Sequence, residues 1–257
     1  MIPSSYHVAA KISSGSPVFT AWLGIAEPVL AEIFAREGYD AVVFDGQHGM
    51  YDDNAMARGF AAVSSVGVPV IGRIPVGDFA MASRFLDLGA AGVIAPMINS
   101  VEDARKLVSF TKFPPIGERS WGPARALALT GLSPQDYFKQ ANDFSVIVAM
   151  IETREAIAAV DDILAVPGLD GVFVGPSDLS ITLSNGATFN PASAEVDAAF
   201  KHVLARAKAA GKFCGAFGIS PAKAAELGKQ GFQLVTVSGD FAVIREAAKN
   251  ALAIARG

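Results

Sequence analysis

The chain reads as an α/β protein and, within that class, as a closed (β/α)8 TIM barrel. Short β-branched or apolar runs alternate with longer amphipathic ones from end to end, the pattern of strands feeding crossover helices in a parallel sheet. Eight such runs can be counted, and closing eight strands on themselves removes both exposed edges that an open doubly wound sheet, the alternative, would keep. The length, 257 residues, is that of one such barrel. Residues 1–257 are therefore expected to form a single domain, and no internal repeat, low-complexity tract or linker marks a boundary.

The expected strands are 18–23, 41–44, 69–73, 92–95, 146–151, 171–174, 213–217 and 234–237. Between the first two, EPVLAEIFAREG carries apolar residues at helical spacing and closes on Gly38; after the third, ASRFLDLGA does the same and closes on Gly89. Two stretches depart from this rhythm. Residues 111–133 hold Pro114, Pro115, Gly117, Gly122, Pro123 and Gly131 and read as a long loop, of the kind that carries function or an interface. Residues 184–191 form a shorter Asn/Gly break before the helix AEVDAAFKHVLARAKAAG.

Composition narrows the function. Hydrophobic residues make up 51% and charged residues 18%, enough core and too little charge for a disordered chain. The apolar runs fall short of the roughly 18 residues of a membrane span, and MIPSSYHVAAKISS lacks the basic-then-apolar layout of a secretory signal. A net charge of −4 with no Lys/Arg block excludes nucleic acid and membrane surfaces as natural partners. The single cysteine, Cys214, permits neither an internal disulfide nor a thiolate metal site, which fits a cytoplasmic location. Low charge with a high apolar fraction points to a homo-oligomer.

In such a barrel the chemistry lies at the C-terminal ends of the strands, and polar residues gather there. Trp22 follows strand one, Asp45 and His48 follow strand two in FDGQHG, and Arg73 ends strand three; Glu152 ends strand five, Asp178 follows strand six, and Phe217 ends strand seven. Glu152 and Asp178, two carboxylates without thiolates nearby, suit a hard divalent cation such as Mg²⁺ or Mn²⁺, with Co²⁺ a further candidate. The competing explanation is that each caps its own helix. His48 is one of three histidines and the only one at the rim; it reads as a general base whose tautomer Asp45 would fix, against a structural loop histidine. Arg73 at the end of VPVIGR needs an anionic partner, which an acidic substrate could supply; its fork would also suit a developing enolate, and an internal ion pair with Asp87 or Asp45 is the competing, though not exclusive, explanation. Gly175, Pro176 and Ser177 precede Asp178 at a helix entry whose N–H groups, that of Pro176 excepted, could hold a carboxylate.

FDGQHG, IETRE and GVFVGPSDLS, in this order and with LDLGAAGVIAPMINSVEDAR and FPPIGERSWGPARA between the first and second, resemble the HpcH/HpaI aldolase family of metal-dependent class II pyruvate aldolases over nearly the whole chain. The resemblance implies a metal-bound 2-oxo acid, enolised by a base and added to an aldehyde, or the reverse cleavage. Glu152 and Asp178 would then hold the metal, His48 with Asp45 would be the base acting through or beside a metal-bound water, and Arg73 would stabilise the enolate. Trp22 matches an active-site tryptophan and Asp87 an acidic residue that reaches a neighbouring subunit's site. The resemblance further implies a hexamer, a trimer of dimers, in which the last helix, DFAVIREAAKNALAIARG, is exchanged between subunits. Two positions depart from the family pattern, Gln47 in place of an acidic residue and Met150 in place of a glutamine, and both bear on which 2-oxo acid is used, hydroxypyruvate among them. A CoA-thioester lyase of the citrate lyase β-subunit or malyl-CoA lyase type is the enzymatic alternative, with only Arg119 and Arg125 on the long loop to meet phosphates. A non-catalytic sensor of a 2-oxo acid or phosphoenolpyruvate is the other, though a pure binder has no need of a base.

Overall fold

The computed structural model describes residues 2–257. Its eight strands are β1 (Val18–Leu23), β2 (Ala41–Asp45), β3 (Val70–Arg73), β4 (Gly92–Ala95), β5 (Val146–Ile151), β6 (Gly171–Val174), β7 (Phe213–Phe217) and β8 (Leu234–Gly239). They close into a barrel in sequence order, and β8 pairs in parallel with β1, so no edge is left open and the open sheet is not formed. Strands buried on both faces need unbroken apolar runs, and β5, VIVAMI, is buried at every position. One apolar cluster lies between sheet and helices; another fills the barrel with Trp22, Ile71, Ile94, Val148, Met150 and Phe173. The segment around Tyr6, Val8 and Ile12 joins this inner cluster and plugs the base of the barrel.

Side chains at the helix starts fix where each crossover begins. Asp52, Asp78, Ser100, Ser133, Thr153, Ser193 and Ser220 each accept a hydrogen bond from a backbone N–H of the helix that follows. The helix Phe79–Leu88 stops at Gly89, whose φ of +109° is the left-handed ending expected there.

Three expectations change in detail. Residues 111–133 are not one continuous loop: a helix, Ala124–Thr130, forms inside it, because the three prolines and three glycines all fall on either side of ARALALT. Trp22 lies within β1 rather than after it, and β2 and β8 run on to Asp45 and Gly239. The terminal helix Asp240–Arg256 buries only Asp240; Phe241, Ile244, Leu252 and Ile254 are exposed. No helix among the described residues is long and apolar enough to cross a membrane.

Candidate active site

The parallel register sets the geometry of the mouth. Asp45 and Arg73 are direct partners at the ends of β2 and β3. Their side chains meet as a two-point fork: Arg73 Nε donates to Asp45 Oδ1 at 2.9 Å and Nη2 to Oδ2 at 2.6 Å. Both side chains are less than a tenth exposed. The Arg73 guanidinium carbon also lies 4.9 Å from the centre of the Trp22 ring, whose Nε1 donates to Asp45 Oδ2 at 3.2 Å. The indole is held edge-on by Phe217 at 5.3 Å and tilted against Phe173 at 5.8 Å.

Burial alone would raise the Asp45 carboxyl, but the hydrogen bonds and charge of Arg73, aided by His48 N–H and Trp22, hold it below the usual carboxylate range. Its Oδ1 accepts from the backbone N–H groups of Gln47 at 3.0 Å and His48 at 3.1 Å. This corrects one sequence expectation: Asp45 places the backbone of His48 and not its imidazole, because Arg73 and Trp22 occupy the carboxylate's free side. Of the two ion-pair partners considered for Arg73, Asp45 is the one found; Asp87 instead accepts from Arg119 at 2.7 Å, away from the cavity. The His48 side chain sits exposed at the rim.

Ile151 of β5 is in register with Val174 of β6, so the residues that follow them, Glu152 and Gly175, leave the barrel side by side. Glu152 is 1% exposed. It does not cap the helix Arg154–Ala158, whose cap is Thr153; its Oε1 accepts from Met97 N–H at 2.8 Å, in the loop after β4. Met97 carries φ +53°, the left-handed region that a methionine seldom adopts, and this strained backbone is what aims the N–H at the carboxylate. Burial, with repulsion from Asp178, raises the Glu152 carboxyl to about 7, against the lowering effects of Met97 N–H and Arg73. Asp178 lies in the first turn of the helix Pro176–Leu183 and makes no cap; Gly175, at the N-cap, has no side chain to offer one. A Cβ on Gly175 would stand 2.4 Å from Glu152 Oε2, so close approach to the carboxylate requires glycine there.

Every residue expected at the mouth except Asp87 lines one cavity of about 390 Å³, together with Met150. Sequence reasoning missed Met97, whose contribution is a backbone dihedral and an N–H that no residue type announces. A larger concavity of about 670 Å³ lies at the opposite end of the barrel, lined by Asp170, Lys208 and Lys212 among others. Three of its four charged groups are already engaged, Asp143 being the other: Lys212 donates to the carbonyls of Val166 and Leu169, Lys208 to that of Gln230, and Asp170 accepts from Ile147 N–H and pairs with Lys112. The strand C-terminal mouth, unlike this concavity, combines buried carboxylates, a guanidinium and an imidazole around open space.

The family model described as HpcH/HpaI aldolase/citrate lyase matches residues 19–247. A hydroxypyruvate/pyruvate aldolase of Rhizorhabdus wittichii is 41% identical over 248 residues, covering 95% of this chain and 96% of its own. A 4-hydroxy-2-oxo-heptane-1,7-dioate aldolase of Salmonella dublin is 34% identical over 238 residues, covering 93% and 90%. The crystal structure of an HpcH/HpaI aldolase/citrate lyase family protein from Burkholderia cenocepacia matches with a TM-score of 0.89 at 30% identity, over 98% of this chain and 100% of that one. Fold, site and sequence agree, and the chain belongs to the HpcH/HpaI aldolase/citrate lyase family.

Proposed function

We propose that residues 1–257 act as one unit, a divalent-metal-dependent class II aldolase that enolises pyruvate, hydroxypyruvate or a related 2-oxo acid and adds it reversibly to an aldehyde. The observation that carries this reading is the convergence of Glu152, Asp178, Arg73 and His48 on one cavity. Glu152 and Asp178 fit a hard cation: both are acceptor-only oxygen donors, they repel one another, and Glu152 has one oxygen held by Met97 N–H while the other faces the gap left by Gly175. Among the described residues no three His, Cys, Asp or Glu side chains are grouped so that they could hold one ion, so water and substrate oxygens would complete the coordination of Mg²⁺, Mn²⁺ or Co²⁺. When bound, the cation supplies Lewis-acid polarisation of the 2-oxo acid carbonyl.

The chain's own groups do the rest. His48, open at the rim, takes the proton from C3 of the 2-oxo acid and returns it in cleavage. Arg73 has two of its five N–H groups committed to Asp45, and the remaining three are free to meet the oxygen that gains charge as the enolate forms. Asp45 keeps that guanidinium fixed, so little reorganisation accompanies charge development. Trp22 and Phe217 form the apolar wall against which the reacting carbon lies. Backbone N–H groups at Gly175 and Ser177, with Pro176 setting the first helical turn, are placed to receive the substrate carboxylate.

The CoA-thioester alternative loses ground because Arg119 is buried and paired with Asp87, leaving Arg125 as the loop's one basic side chain for phosphates. Asp87 itself would serve a neighbouring copy. A homo-oligomer, hexameric as the family resemblance implies, is supported by the terminal helix, on which Phe241, Leu252 and Ile254 are at least 49% exposed.

The test is proton NMR of pyruvate, and in parallel hydroxypyruvate, in D₂O with the protein and Mg²⁺ or Mn²⁺. Loss of the C3 proton signal that needs both protein and metal, and stops with EDTA, is the expected result. In His48→Ala the exchange slows by roughly 10² to 10⁴. Absence of exchange with either acid would overturn the aldolase reading in favour of the CoA lyase or the non-catalytic sensor.

A further inference from the structure

The terminal helix is open to solvent along its length, yet it starts on Asp240, which is 1% exposed. Among the described residues no lysine or arginine pairs with this carboxylate. Its partners are backbone: Oδ2 accepts from Gly24 N–H at 2.9 Å and from Ile25 N–H at 2.8 Å, in the loop after β1, while Oδ1 accepts from Phe241 N–H at 2.8 Å. A buried carboxylate held by N–H groups alone is costly to bury unless those bonds are kept.

Gly24 passes the restraint on. Its carbonyl accepts from Met50 N–H at 2.8 Å, two residues beyond His48. The two loops touch backbone to backbone: a Cβ on Gly49 would lie 3.1 Å from Gly24 Cα and 2.3 Å from the Asp45 carbonyl oxygen. On its other side, a Cβ on Gly24 would meet the Phe241 ring at 3.2 Å. The turn that carries His48 is thus fixed by Asp45, whose carboxylate holds Gln47 and His48 and whose carbonyl holds Gly49 N–H at 3.1 Å, and by Gly24 at Met50. Only the second support leads back to the terminal helix.

We propose that Asp240 is a positioning residue for His48, acting through Gly24 and Met50. The carboxylate clamps Gly24, Gly24 seats Gly49 and Met50, and the imidazole is thereby held over the cavity although its own ring is exposed. The proposal rests on the reading of His48 as the base. It predicts that loosening Asp240 alters proton transfer while leaving ground-state binding of the 2-oxo acid nearly intact, since Asp240 makes no hydrogen bond to any of the cavity's other polar side chains.

The experiment compares Asp240→Ala, Asp240→Asn and Gly24→Ala with the unaltered chain. Three readouts are taken: pyruvate C3 exchange in D₂O with Mn²⁺, the C2-proton NMR titration of the three histidines with His48 assigned from His48→Asn, and thermal unfolding. Asp240→Ala is expected to lower kcat for exchange at least tenfold with KM within about twofold, as a misplaced base does. It is also expected to move the His48 resonance while His7 and His202 keep theirs. Asp240→Asn, which retains an oxygen for Gly24 and Ile25 but loses the bond from Phe241 N–H, recovers part of the rate and returns the His48 signal towards its original position. Should Asp240→Ala not fold, Gly24→Ala answers instead, because its methyl would stand 3.2 Å from the Phe241 ring, next to Asp240, and displace the same clamp. A His48 resonance and exchange rate unmoved in the variants, or Asn failing as badly as Ala, would overturn the proposal. If the unaltered chain exchanges no pyruvate protons, the proposed reaction fails, while the His48 resonance still decides the positioning.

Discussion

Gly175→Ala adds one methyl group, and the structure fixes what it meets. The new Cβ would lie 2.4 Å from Glu152 Oε2 and 3.0 Å from Met150 Cε, where ordinary contact begins near 3.4 Å. The backbone at Gly175 has φ −96° and ψ 108°, which alanine adopts without strain, so the effect falls on the neighbours rather than on the main chain. Glu152 Oε1 is tied to Met97 N–H, so the carboxylate cannot slide away as a whole; Oε2 must swing by about 1 Å. Metal–ligand distances tolerate roughly 0.2 Å. Disturbance of a ligand's supports typically costs 10–100-fold in metal affinity, about 1.4–2.8 kcal/mol. Titration of Mn²⁺ by EPR should therefore give a dissociation constant raised by at least tenfold. The same substitution at Gly239, where the nearest atom to a Cβ is 3.9 Å away, should leave it unchanged. Equal Mn²⁺ affinity in Gly175→Ala and the parent chain would refute both the placement of Glu152 as a ligand and the role given to Gly175.

Burial and Asp178 raise Glu152 to about 7 from 4.5, so in metal-free protein the folded state keeps a proton that the unfolded chain has released between those values. Stability then falls as pH rises through that window, by about 3 kcal/mol in all, and Glu152→Gln removes the fall; urea unfolding in EDTA should show the variant no more stable at pH 4 but clearly more stable at pH 8, and an equal gap at both would refute this. Arg73→Leu leaves Asp45 buried without its partner and should cost about 3–5 kcal/mol in urea unfolding, a loss under 1 kcal/mol being incompatible with the buried pair. Leu252→Lys with Ile254→Lys changes side chains that are 49% and 82% exposed in one protomer. It should leave the monomer's fold intact but lower the mass seen by light scattering from a multiple of 26.6 kDa, whereas a parent chain that is already monomeric would remove the assembly.

The barrel was legible because a strand buried on both faces must be an unbroken apolar run: five of the eight expected strands, among them VIVAMI and GVFV, have the observed ends. Asp45, Arg73 and Glu152 were legible for the same reason, since a charged residue at the end of such a run has to face the mouth, and Asp178 because it opens the helix that follows β6. What stayed hidden depends on pairing across the sheet or on dihedral angles. The choice of Asp45 over Asp87 by Arg73 follows from the β2–β3 register, which is a property of two strands and not of either motif. Thr153 rather than Glu152 caps the helix because the carboxylate is drawn to Met97 N–H, 55 residues earlier in the chain. The burial of Asp240 arises only when β8 closes against β1, which nothing in the terminal segment itself announces.

The barrel closure also puts an optical reporter where the chemistry is. The chain has two tryptophans. Trp22 lies under the Arg73 guanidinium and donates to Asp45, while Trp121, about half exposed, packs with Phe113, Tyr137 and Phe138 on the outside. With Trp121 replaced by phenylalanine, all remaining indole emission would come from the cavity floor. Because a nearby cation and a hydrogen-bonded carboxylate both act on the indole's excited state, each ligand that shifts Arg73 or Asp45 would write its arrival into the emission spectrum, and the order in which cation, 2-oxo acid and aldehyde enter could be read from a single unlabelled chain in real time.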